Sequence, residues 1–146
     1  MQFIKNNWFW NVILIVTVIL CVAILTLHLK NWIGGDSNTI KLRSGFYNVK
    51  IAYSELDSVL LVDRVPPMER INGFSALEKE KGIFREFKDS LTDKKVHVFV
   101  DNINQQKVKL VYKDSLYLYL NFKDSVETLK LMNGLTTKMN SSINLN

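Results

Sequence analysis

A chain of 146 residues has room for one ordinary domain and an appendage, and is too short for two. From Asp36 onward lie all 14 acidic side chains and 17 of the 19 basic ones, a balance of only +3, too mild and too mixed for a nucleic-acid binder. The single cysteine, Cys21, excludes an intramolecular disulfide.

No charged residue falls between Lys5 and Lys30. Within that stretch Trp8 to Leu29 reads as a membrane-spanning helix, since its residues would rise about 33 Å against a hydrocarbon core of about 30 Å. Lipid offers the backbone no hydrogen-bond partners, so a single segment crosses it as a helix. Phe3, Trp8, Phe9 and Trp10 mark one interface, and Lys30 with Trp32 the other. Asn11 and His28 fall near the two ends, where polar tips reach headgroups. A cleaved signal peptide has a shorter apolar run and a small-x-small cleavage site. Leu20 before Cys21 also argues against a lipoprotein signal, so an uncleaved anchor is expected over residues 1–32. Lys30, Lys41 and Arg43 after the helix outnumber Lys5 and the terminal amine before it, which predicts a cytoplasmic C-terminal domain.

The small polar run Ile33-Gly-Gly-Asp-Ser-Asn38 predicts a flexible linker over residues 33–38. Seven strands are then expected. Thr39 to Arg43 and Phe46 to Ile51 alternate about the turn Ser44-Gly45, and Ser58 to Val62 follows. Pro66-Pro67 halts that strand, and the polar stretch from Pro66 to Lys81 is expected to be a long surface loop. Ile83 to Phe87, Val96 to Val100 and Lys107 to Tyr112 come next. Lys113-Asp114 turns into Ser115 to Phe122, whose Leu116, Leu118 and Leu120 form a core face, with Tyr117, Tyr119 and Asn121 on the other. Asp124 then starts an amphipathic helix carrying Val126, Leu129, Met132, Leu135 and Met139 to about residue 138. Residues 39–138 thus read as a seven-stranded, two-sheet small β-barrel capped by a C-terminal helix, and 139–146 as a polar tail.

Gly45-Phe-Tyr-Asn-Val-Lys-Ile-Ala-Tyr-Ser-Glu-Leu-Asp-Ser-Val59 resembles the opening of bacterial pleckstrin-homology (PH)-like domains. Pro67 leading to Arg70-Ile-Asn-Gly-Phe74, then Lys81-Gly-Ile-Phe84, and Leu120-Asn-Phe-Lys-Asp124 before the helix continue the likeness over roughly residues 40 to 135. Asn48 and Ala52 depart from the glycine and proline often found there, and one membrane helix stands where relatives often carry more. The resemblance implies a PH-like fold; the function must come from the residues.

Those residues assemble no catalytic constellation. His97 reads as a strand-surface histidine, and Asp57, Asp63, Glu78 and Glu80 as turn and solvent acids. With no downstream cysteine, neither a thiolate metal site nor thiol catalysis is expected, and no catalytic residue, metal or cofactor is assigned. Two binding readings stand. Lys41, Arg43 and Lys50 form a possible contact for anionic lipid headgroups, although the turn Ser44-Gly45 is too short to cradle a phosphate. Tyr117 and Tyr119 form a possible surface for an unknown protein partner. The expected partners are therefore the bilayer and a protein, with no nucleic acid, and the expected role is non-enzymatic docking or scaffolding at a membrane.

Overall fold

The computed structural model describes residues 4–87 and 94–144. Phe3, Leu145, Asn146 and the side chains of Lys5 and His28, all part of the sequence reading, lie outside what is described.

The first helix, α1, spans Ile4–Leu29. It is long and apolar enough to cross a membrane, and its side chains from Asn7 to Thr26 are all exposed. A helix apolar on every side has no face to turn toward water, unlike the amphipathic helix of a globular domain.

Nine strands follow among the described residues, two more than expected. β1 (Asn31–Gly35), β2 (Thr39–Ser44) and β3 (Tyr47–Ala52) form one antiparallel sheet in that order. A 3-10 turn at Tyr53–Glu55 leads to β4 (Leu56–Val62), β5 (Met68–Ala76) and β6 (Lys79–Glu86). β7 (Lys95–Val100), β8 (Lys107–Tyr112) and β9 (Leu116–Asn121) complete a six-stranded sheet of order β4-β8-β9-β7-β6-β5. The second helix, α2, spans Ser125–Ile143, five residues beyond the expected end. Its N-cap Asp124 accepts a hydrogen bond from the Val126 amide at 2.9 Å, as the sequence predicts.

Two expectations are corrected. The linker at 33–38 is instead most of β1 and a tight turn: Gly35 lies so close to Thr39 that a Cβ would meet its carbonyl oxygen at 2.3 Å. The loop expected from Pro66 to Lys81 contains β5 and the start of β6. β5 is an edge strand whose side chains are mostly exposed on both faces, so it carries no alternation to read.

The sheets do not close into the expected barrel. β7 and β9 run parallel, with β9 inserted between β7 and β8, so segment 101–106 must cross the end of β9. β4 and β5 lie at opposite edges of the six-stranded sheet, about 24 Å apart were it flat at about 4.8 Å per strand. The steps from Val62 to Met68 reach only about 21 Å fully extended. The sheet is therefore curled.

The main core lies between the sheets. Ile40, Leu42, Val49 and Ile51 face Phe99, Leu110, Leu118 and Leu120, and Leu135 of α2 closes one side. The expected leucine face of β9 is part of it. A second, smaller core covers the other face of the six-stranded sheet, where Phe84, Val96, Val98, Val100 and Tyr119 pack with Val65 from the connection between β4 and β5 and with Met68 at the start of β5.

Candidate functional site

Lys30 alone separates α1 from β1, and Asn31 is already 3% exposed. Its amide nitrogen Nδ2 donates to the carbonyls of Phe99 (2.6 Å) and Asn121 (2.9 Å), and its Oδ1 accepts from the Ser44 hydroxyl at 2.6 Å. Asn121, at the end of β9, holds the crossing segment: Oδ1 accepts from the amides of Asp101 and Asn102, and Nδ2 donates to the carbonyls of Asn102 and Gln106. Asp101 binds Lys81 Nζ at 2.7 Å and Lys79 Nζ at 3.4 Å. Burial pushes the Lys81 ammonium down from its ordinary value, with Asp101 opposing that shift. Buried polar groups survive only when satisfied, and this cluster satisfies itself at the point where the chain enters the domain. The sequence reading did not find it. Its only visible signal is Asn121, a polar residue closing an otherwise apolar strand.

Lys41, Arg43 and Lys50 do come together. Lys41 pairs across the strands with Lys50, Arg43 lies two positions along, and all three point outward from the three-stranded sheet. Asp36 stands 3.8 Å from Lys41, an exposed contact that leaves the face basic. The tyrosines do not form the expected surface. Tyr119 is 2% exposed and belongs to the second core, so any partner surface there reduces to Tyr117, whose ring lies 4.4 Å below the Lys109 ammonium. The physical reason is that the six-stranded sheet is covered on both faces, so alternation does not mark an outside. His97 is likewise only partly exposed. It stands edge-on to Phe99 with its Nδ1 lacking a hydrogen-bond partner among the described residues.

A groove not anticipated from the sequence runs between β1 and α2. α2 packs on β4, the 3-10 turn and β8, and β1 is an edge strand whose strand pairing among the described residues is to β2 alone. The gap, about 260 Å³, is lined by apolar Ile33, Ile40, Leu131 and Leu135, with Lys130 and Lys138 at its rim. Glycines line it on both sides, and a Cβ on Gly34 or on Gly134 would meet nothing within 4 Å. Such an arrangement suits an extended peptide, whose backbone can pair with β1 while alternate side chains enter the gap. Among the described residues, no group of three or more His, Cys, Asp or Glu is placed to hold a metal ion.

No family model, no curated protein and no solved structure matches this chain.

Proposed function

We propose that this chain is a single-pass membrane protein whose PH-like domain docks a protein partner at the membrane and catalyses no reaction. The reading is supported by an apolar helix joined through one residue to a two-sheet domain with a C-terminal helix, the order that the PH resemblance leads one to expect. The observation that carries it is the free edge of β1 beside the groove under α2. Unpaired strand edges are sites of strand addition unless something blunts them, and neither proline nor an inward charge blunts Asn31–Gly35. The partner is an extended peptide segment with apolar side chains, and Lys130 and Lys138 favour acidic residues flanking it.

The test places a photoreactive side chain at Gly34 in the full chain in its native membrane. A crosslinked protein that disappears when Gly134→Leu fills the groove supports docking there. A product indifferent to Gly134→Leu, or one formed equally from Lys50, contradicts it. Gly134 is exposed in a helix interior, so the substitution also improves helix propensity by up to about 1 kcal/mol, and loss of capture cannot be blamed on unfolding.

A second reading, recognition of anionic lipid headgroups, is favoured by the alignment of Lys41, Arg43 and Lys50 on one face. Reversing all three to Glu in the reconstituted full chain should then abolish enrichment of anionic lipid around the protein; unchanged enrichment would sink that reading.

A further inference from the structure

We infer that the end of the domain nearest α1 rests on the lipid interface of the membrane that α1 enters, so that the domain is seated on the bilayer rather than held clear of it. This rests on the reading of α1 as membrane-inserted.

The contacts around Asn31 identify that end. Asp101 Oδ2 accepts from the Asn31 amide, and Ile103, two residues on from Asp101, donates its amide to the Glu78 carbonyl in the β5–β6 turn at 2.8 Å. Phe46 lies two residues beyond Ser44, the hydrogen-bond partner of Asn31. Val126 lies two residues beyond Asp124, which lines one cleft with Lys30. The turns and the helix start that surround the exit of α1 thus carry Phe46, Leu77, Ile103 and Val126.

These residues are apolar and face outward. Leu77 is 97% exposed, Phe46 73%, Val126 53% and Ile103 44%, and Trp32, one residue into β1, is 58% exposed. Scattered apolar residues are ordinary on any surface, and Leu60, Ile71, Leu129, Phe87 and Ile143 are such cases on the flanks and far end. Leu77 is different. Its φ of 57° puts a bulky side chain in the left-handed conformation, where glycine or asparagine is easier, and then leaves it almost wholly exposed. The exposure is unfavourable in water and not in lipid, whereas the left-handed backbone costs the same in either. The surrounding charges fit the same setting. In a cleft of about 580 Å³ where Lys79 and Asp101 pair with each other, Lys30 and Lys123 stand with Asp124 and Glu127, a mixed set suited to headgroups that carry phosphate together with their own cations. Lys30 over the Trp32 ring at 5.8 Å is the pairing of cation and aromatic found at interfaces. With a single residue as tether, this end cannot lie far from the headgroups.

The test uses the full chain in vesicles of phosphatidylcholine and phosphatidylglycerol. A nitroxide spin label is attached to native Cys21, or to Leu77→Cys, Ile103→Cys or Lys95→Cys in a Cys21→Ser background. Collision rates with oxygen, which concentrates in lipid, are compared with those of a water-soluble nickel complex. Lys95 is exposed and lies at the far end of β7 from Asp101, so its label reports bulk solvent. Seating predicts that labels at 77 and 103 meet oxygen several-fold more, and nickel several-fold less, than the label at 95. Labels at 77 and 103 that match the one at 95 overturn the seating while a lipid signal from Cys21 keeps the anchor. Shielding of 77 and 103 from both reagents means that a protein covers this end, and also overturns it. A solvent signal from Cys21 defeats the anchor reading itself.

Discussion

Lys81 and Asp101 are both buried and lie 2.7 Å apart, a pair whose two members depend on each other more than the fold depends on them. Replacing a buried ion pair whole is often neutral, whereas removing Lys81 leaves the buried Asp101 carboxylate to the more distant Lys79 at 3.4 Å. Lys81→Met should therefore destabilise the domain by about 3 kcal/mol, and adding Asp101→Asn should recover part of the loss; chemical unfolding of the detergent-solubilised chain measures both. His97 gives a different signature. Burial first, and Lys95 second, push its imidazole below the ordinary value of 6.5. The folded chain then binds this proton more weakly than the unfolded one, so stability falls as pH drops below about 6.5 and levels off beneath the folded value. His97→Leu should flatten that part of a plot of Tm against pH; an unchanged slope would assign it to other groups. At this scale the sequence was a poor guide. Lys81 read as the end of a surface loop and Lys107 and Asn121 as ordinary strand polars, and only tertiary pairing shows that each is enclosed.

Among the elements, the β5–β6 hairpin owes its shape to two glycines that face each other across the strands. Gly73 and Gly82 are register partners with φ of 141° and 150°, and a Cβ on Gly82 would meet the Asn72 carbonyl oxygen at 2.2 Å. Backbone that close cannot admit a side chain, and neither can that φ. Gly82→Ala should cost at least about 2 kcal/mol, read as a lowered Tm; a shift within error would mean that the hairpin relaxes freely. The sequence reading put Gly73 in a loop. Where alternation was strong and one face apolar, as in β2, β3, β7, β8 and β9, the elements were legible to within a residue or two. β1 and β5 were not. Glycines interrupt the first, and solvent on both faces of the second removes the contrast on which pattern reading depends.

For the whole molecule, the order of parts was legible: an apolar helix, a run of strands and a closing amphipathic helix. The pairing was not, because the insertion of β9 between β7 and β8 and the curl that brings β5 around the sheet arise from contacts far apart in sequence. Nor was the groove, which lies between β1 and the α2 that settles on β4 and β8. The correction with most consequence for function concerns residues 31–35. A flexible linker would let the domain sample any height above a bilayer. A strand whose first residue is buried among Phe99, Asn121, Ser44 and Asp101 holds it near the point where α1 ends. Docking at β1 and seating at the turns both depend on α1 being inserted in a membrane. Sodium carbonate extraction of membranes from cells making the full chain tests that directly. An inserted α1 keeps the protein in the membrane pellet until detergent is added; release into the alkaline supernatant would contradict it and take both roles with it.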